Sequence, residues 1–192
     1  MPKLPSLDQP DMHDVMAKYP RGFQSLCDYH DAILRGPSAL TAGERELIAT
    51  YVSGVNNCNY CHGAHRRFAE AHGIEPDLFE SLMEDPAKAG VDPKLLPILA
   101  YAKKLTQAPS TVTEEDAQKV YDAGWDEEAL VTAISVTALF NFMNRLVEGT
   151  GMVANTMRRQ GGDDSITNTE NPTPYGDFGR MVAQLHQQRY GS

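Results

Sequence analysis

Residues 41–65 read TAGERELIATYVSGVNNCNYCHGAH, from Thr41 to His65, and this stretch decides the fold. Thr41 and Glu44 have the spacing of a capping box, in which hydroxyl and carboxylate each meet a free backbone N–H at a helix start. Leu47, Ile48, Tyr51, Val52 and Val55 then recur with a period near that of an α-helix. Asn56-Asn57 breaks the run. A second helix is expected from about Cys58 to His72, with Gly73 suited to the left-handed conformation that closes a helix. Two helices joined by so short a break either fold back on one another or run on as one rod, and only the first brings residues on either side of the break together.

The flanks extend the helical pattern. Phe23, Leu26, Ile33 and Leu34 form a weak stripe between Gly22 and Arg35, and Gly36-Pro37-Ser38 ends it. Short helical patterns follow from Pro76 to Glu84 and from Asp92-Pro93, as cap and first residue, to Thr106. Another opens at Thr113 and closes at Gly124. The longest begins at Asp126 and carries Leu130, Ile134, Ala138, Phe142 and Leu146, with Gly149 and Gly151 at its end. No alternating strand of useful length is present, so the expected class is all-α. Residues 1–20, rich in Pro, Asp and Met, read as an arm, and 21–160 as the helical domain. Residues 161–192 read as a polar linker to Pro174 followed by a short amphipathic helix with Phe178, Met181, Val182 and Leu185 on one face. Such a helix is marginal alone, and it is expected to pack on a neighbouring subunit or, more plainly, back on its own domain.

Bulk composition narrows the function. The chain has 192 residues, 41% of them hydrophobic, and a net charge of -9. Its pI is near 5.1 and its mean hydropathy is -0.42. That acidity and the lack of a basic stripe argue against nucleic acid and against an anionic membrane surface as partners. No apolar run is expected to approach the roughly 18 residues of a spanning helix, and the N-terminus lacks a signal-peptide core. The expected location is the cytoplasm, where a disulfide is more often catalytic or transient than structural.

Only three cysteines occur, and two of them, Cys58 and Cys61, share one turn with His62 and His65 close behind. At that spacing a dithiol can close a local disulfide, hold a metal or anchor a haem. Cys58-Asn59-Tyr60-Cys61-His62 matches the c-type haem attachment pattern, but that chemistry ordinarily needs export. A Cys₂His₂ metal site is the other rival, although four ligands on two turns of one helix wrap poorly around a tetrahedral ion. A purely structural dithiol is the third.

For redox work the position is apt. Free N–H groups and the dipole at a helix start stabilise a thiolate. An unperturbed thiol of pKa about 8.5 is only about 3% thiolate at pH 7. Lowering the pKa to about 6.5 takes about 2.7 kcal/mol, of which the dipole supplies about 0.3–1 kcal/mol. A neighbouring imidazole is the obvious further source. Glu46 lies about ten residues before the Asn56-Asn57 break and His65 about eight after it. In a folded-back hairpin both stand about 12–15 Å from the turn, near the same level, where a Glu–His pair relays protons. Glu44 is the rival carboxylate, but the capping box occupies it. This reading requires sulfurs that are not sealed in an apolar interior and a Glu46 carboxylate that turns away from water.

Glu46, eleven residues, then Cys58-x-x-Cys61-x-x-x-His65 resembles the signature of the AhpD-like alkylhydroperoxidases within the carboxymuconolactone decarboxylase superfamily. The string from Glu44 to His65 and the segment Ala138-Leu139-Phe140-Asn141-Phe142-Met143-Asn144-Arg145-Leu146 are similar to its peroxidase-related branch. The resemblance covers roughly residues 21–155. It implies an all-helical fold, homo-oligomers (dimer, trimer or hexamer) and a cysteine peroxidase cycle without metal or other cofactor. By that resemblance Cys61 attacks the peroxide, Cys58 resolves it, and His65 with Glu46 forms the proton relay. The reductant it suggests is a lipoyl or thioredoxin-like dithiol. Tyr60 stands where the family has a further histidine, and a phenol of pKa about 10 accepts protons poorly at neutral pH.

Two other functions suit the same residues. One is a redox sensor that uses the disulfide as a switch rather than for turnover. The other is a lactone decarboxylase or isomerase, which the dithiol argues against. Cys27 reads as a buried small hydrophobe. Asn141, Asn144 and Arg145 read as a hydrogen-bonded network at a helix or subunit contact. His30, His72 and His186 carry no assigned role, and the methionines read as core filling.

Overall fold

The computed structural model describes residues 3–154 and 167–191. Among these residues every regular element is helical. The chain divides into two compact units, residues 37–144 and residues 1–36 with 145–192.

The first of these units holds α3 (Ala42–Val55), α4 (Asn59–Ala71), the short α5 (Leu78–Ser81), α6 (Leu96–Gln107), α7 (Glu114–Asp122) and most of α8 (Glu127–Thr150). The Thr41–Glu44 capping box is present in full: Thr41 Oγ1 accepts from the Glu44 N–H, and the Glu44 carboxylate accepts from the Thr41 N–H at 2.7 Å. Helix α3 is buried along almost its whole circumference, from Arg45 through Ser53. A helix covered on every side belongs to the middle of a core, and α4 and α6 pack against it. Gly43 lets α3 and α4 close at one end, since a Cβ there would stand 2.7 Å from the His72 carbonyl oxygen.

One start is displaced from its expected place. The Asp92-Pro93 signal yields a turn rather than a helix: the Asp92 carboxylate accepts from the Lys94 N–H at 2.8 Å, and α6 begins only at Leu96, with Pro97 in its first turn. The Lys94 carbonyl, which a helix would use internally, instead accepts the Trp125 indole N–H at 2.7 Å. The short helix expected from Pro76 to Glu84 is confined to Leu78–Ser81.

The expectation that no segment reaches membrane-spanning length is corrected by α8. By length and composition this 24-residue helix is apolar enough to cross a bilayer, with a mean hydropathy of 1.4 in its best window, half of which is buried. Hydroxyl and amide side chains break its apolar run without lowering that mean much. Several are hydrogen-bonded within the unit: Thr137 Oγ1 donates to the Ala133 carbonyl at 2.7 Å, and Asn144 Nδ2 donates to Ser53 Oγ at 3.0 Å.

The other unit is built on α1 (Met12–Lys18), α2 (Phe23–Leu34) and α9 (Pro174–Tyr190). The segment read from composition as an arm contains α1, capped reciprocally by Asp11 and Asp14 and burying Val15, Met16 and Ala17. The tail helix α9 packs on α1 and α2 of its own chain. The linker expected from Gly161 to Pro174 lies outside the described residues as far as residue 166. The face α9 buries is Pro174, Tyr175, Gly176, Gly179 and Val182, whereas Met181 is exposed. A Cβ on Gly179 would stand 3.0 Å from the Cys27 Cβ, so two glycines carry the close approach that hydropathy assigned to larger side chains. At its N-terminus the Asp31 carboxylate accepts from the Tyr175 and Gly176 N–H groups at 3.0 and 2.7 Å. Near its other end His186 Nδ1 donates to the Ala17 carbonyl at 2.7 Å.

Candidate functional site

The turn between α3 and α4 fixes the register of the site. Asn57 adopts a left-handed conformation with φ of 55°. The Asn57 N–H donates to the Gly54 carbonyl and the Cys58 N–H to the Ser53 carbonyl, both at 2.9 Å. These are the two bonds of a Schellman closure, with Asn in the place glycine usually takes. Cys58 is therefore at once the last residue of that closure and the N-cap of α4, and Cys61 stands in the helix's first turn. Asn56 Nδ2 donates to the side-chain oxygens of Asn141 and Asn144 at 3.2 and 2.9 Å, and Asn141 Nδ2 donates to Thr106 Oγ1 at 3.0 Å. The amides of α8 thus form the hydrogen-bonded network expected of them, and it ties the turn to α6 and α8.

The hairpin brings the expected pair together. His65 Nδ1 lies 2.6 Å from Glu46 Oε2. Glu46 has no exposed surface and His65 retains 8%. A carboxylate can only accept while ionised, so Nδ1 carries the proton and Nε2 is left as the basic nitrogen. Phe140 of α8 meets the imidazole edge-on with ring centres 4.4 Å apart, and Phe68 does so at 5.1 Å. In this dry setting the pairing is stronger than it would be in water.

His62 is anchored in parallel. Its Nδ1 donates to the Thr50 carbonyl at 3.0 Å, one turn along α3 from Glu46. Both histidines therefore turn to α3. Next to it a Cβ on Gly54 would meet Met83 Sδ at 2.4 Å and His62 Nδ1 at 3.1 Å, so Met83 covers this point.

The sulfurs lie deeper than a reactive pair at a helix mouth suggests. Cys58 has no exposed surface and Cys61 only 3%, and both are thiols here. The covering is not uniformly apolar: Asn57 and Asn59 are exposed, and Tyr60, His62, Gly63 and Ala64 are half-buried. Among the described residues, no group of three or more His, Cys, Asp or Glu is placed to hold a metal ion. Cys27 belongs to the other unit. Burial first, then the charges of Asp28 and Asp31, push its thiol up to about 11, which keeps it protonated and unreactive at neutral pH.

An all-helical hairpin that sets a Cys-x-x-Cys beside a buried Glu–His pair defines a recognisable class, the AhpD-like helical fold. Residues 20–104 match the carboxymuconolactone decarboxylase family. The fold is similar to that of a solved structure titled alkylhydroperoxidase AhpD core, an uncharacterized peroxidase-related protein from Ralstonia eutropha JMP134. That similarity has a TM-score of 0.70 and 29% identity over 75% of this chain and 76% of that one. An uncharacterized peroxidase-related protein from Silicibacter sp. TM1040 is similar with a TM-score of 0.65 and 29% identity, over 69% of this chain and 70% of that one. No curated protein matches. The comparisons support a likeness to the carboxymuconolactone decarboxylase superfamily over residues 20–104, and the fold is similar to the AhpD-like fold.

Proposed function

We propose that the protein is a thiol-dependent peroxidase-like oxidoreductase that reduces hydroperoxides through a Cys58–Cys61 dithiol/disulfide cycle. The observation that carries this reading is the 2.6 Å pairing of His65 with the buried Glu46 carboxylate, one helical turn beyond Cys61. Glu46 holds the imidazole in the tautomer whose Nε2 takes a proton. His65 accepts the Cys61 thiol proton, and the helix N-terminus favours the resulting thiolate. The thiolate sulfur attacks the O–O bond of ROOH; the bond breaks, sulfur becomes a sulfenic acid, and the departing alkoxide takes the proton from His65 as ROH. The Cys58 thiol then displaces hydroxide from that sulfur, giving the disulfide and water. An external dithiol, of lipoyl or thioredoxin-like chemistry, restores the pair by exchange and is itself oxidised. The cycle is proposed to run in the cytosol, without metal.

Steady-state peroxide consumption with a dithiol reductant tests the assignment. Cys61→Ser should be inactive. Cys58→Ser should react once and stop, with a sulfenic acid trapped on Cys61 by a dimedone-type reagent. Equal residual rates in the two variants would remove the roles given to the two sulfurs.

The burial of both sulfurs favours one alternative, a redox switch in which the disulfide alters conformation or assembly without efficient turnover. Oxidation that goes to completion once, changes the oligomeric state and then resists further peroxide would support the switch. Sustained turnover would exclude it.

A further inference from the structure

The hairpin carries a second cysteine–histidine pair, which the cycle above leaves idle. His65 follows Cys61 by four residues, and His62 follows Cys58 by four. The Cys58 carbonyl accepts the His62 N–H at 3.0 Å, so His62 stands one helical turn beyond Cys58, as His65 does beyond Cys61. Side chains on a helix lean toward its N-terminus, which carries each imidazole back over the turn of its own cysteine. Helix α3 receives the two rings in the same register. Thr50, whose carbonyl accepts from His62 Nδ1 at 3.0 Å, lies one turn from Glu46, whose Oε2 is 2.6 Å from His65 Nδ1. One turn further toward the break, the Ser53 carbonyl accepts the Cys58 N–H at 2.9 Å. Successive levels of the hairpin therefore set Cys58, His62 and His65 against Ser53, Thr50 and Glu46.

The two pairs share a tautomer and differ in charge. A carbonyl oxygen only accepts, so His62 Nδ1 carries the proton and Nε2 is the basic nitrogen, as in His65. The Thr50 carbonyl is neutral where Glu46 brings a buried negative charge, so only His65 is ion-paired once protonated. His62 is also the wetter ring. It is half-buried, next to the exposed Met83 whose sulfur packs on Gly54, whereas His65 retains 8% exposure. We propose that His62 is the acid–base group for Cys58, so that each sulfur of the pair has its own imidazole. The inference rests on the peroxidase-like reading and adds a division of labour to it. In the resolving step His62 Nε2 takes the Cys58 thiol proton. The Cys58 sulfur attacks the sulfur of the Cys61 sulfenic acid; the S–S bond forms and the S–OH bond breaks. The departing hydroxide takes the proton back from the imidazolium and leaves as water. His65 and Glu46 serve the peroxide step.

Rapid mixing of the full chain with hydrogen peroxide separates the two steps, with dimedone trapping for the sulfenic acid and intact mass for the disulfide. His62→Gln keeps an N–H for the Thr50 carbonyl but has no basic nitrogen. Its sulfenic acid should form within about twofold of the wild-type rate, while disulfide formation slows about 100-fold or more. Cys61 sulfenic acid then accumulates in a protein that still has Cys58, a result that loosened packing, which would slow both steps, does not produce. In His62→Ala, added imidazole should speed the second step and leave the first unchanged. Equal slowing of both steps in His62→Gln, or no response of His62→Ala to imidazole, would overturn the proposal. A wild type that turns over while His62→Gln resolves at normal speed would remove His62 alone. A wild type that gives neither sulfenic acid nor disulfide would remove the peroxidase-like reading and this assignment with it.

Discussion

At Glu46 the protein holds a carboxylate with no exposed surface, a state that the His65 donor helps to make tolerable. Replacing it separates charge from shape. Glu46→Ala leaves the His65 N–H buried without that acceptor and should cost about 1–3 kcal/mol in urea unfolding. Glu46→Gln keeps the size and an acceptor but not the charge that stabilises an imidazolium. Peroxide turnover should fall about 10- to 100-fold in this variant while the urea midpoint moves much less than for Glu46→Ala. Equal turnover by Glu46→Gln and wild type across pH 5–9 would remove Glu46 from the relay. This pairing was legible in the sequence, because the asparagine break and the fixed rise of a helix put both residues at one level. The anchoring of His62 was not, since its acceptor is the main-chain carbonyl of Thr50, and a carbonyl leaves no mark on composition. The burial of the sulfurs was not legible either, because solvent access depends on tertiary packing that residue spacing does not encode.

Among the elements, the α3–α4 hairpin depends on two glycines in opposite ways. Gly43 faces the His72 carbonyl, rigid backbone that cannot step aside. Gly43→Ala gains about 1 kcal/mol of helix propensity but forces the helices apart at about 1–3 kcal/mol. The expected outcome in urea is a net loss of up to about 2 kcal/mol, accompanied by a loosened Glu46–His65 pair. Gly63, within α4, has open space where a Cβ would go, so Gly63→Ala should stabilise by about 0.5–1 kcal/mol. Capping signals read well at this scale: the Thr41 box forms, and the helix expected to open at Thr113 does so. The Asp92 start reads three residues early because a distant indole takes the carbonyl that a helix would have used. Helix α1 escapes notice because its Asp11–Asp14 box sits in a stretch whose composition suggests an arm. The contact face of α9 is misread because glycine carries no hydropathy, although here it makes the closest approach.

On the scale of the chain, the start of the tail helix is tied back by the Asp31 carboxylate. Asp31 caps the N-terminus of α9 through two N–H groups, and the Arg35 guanidinium lies over the Tyr175 ring. Asp31→Ala strips both N–H groups of their acceptor. Amide exchange across α9 should quicken by about one to two orders of magnitude, in line with about 1–3 kcal/mol lost. Burial, only partly offset by those two bonds, holds the Asp31 carboxyl above the usual carboxylate range. A raised folded pKa means the group's contribution is fullest at low pH and is lost as pH rises through that value. The stability difference between wild type and Asp31→Asn should therefore shift toward wild type as pH falls, the reverse of an ordinary ion-paired aspartate. A parallel shift with the opposite sign in pH-dependent unfolding would contradict this account of Asp31.

Glu46 and His65 are 19 positions apart, while the Phe140 ring that closes over the imidazole arrives from far downstream. A ribosome adds about 5–20 residues per second. Both partners therefore leave the exit tunnel within seconds of each other, and the hairpin can form while α8 is still being translated. Until that last helix is delivered, the imidazole lacks the Phe140 ring that closes over it. The nascent chain can thus join its carboxylate to its imidazole before the aromatic cover arrives.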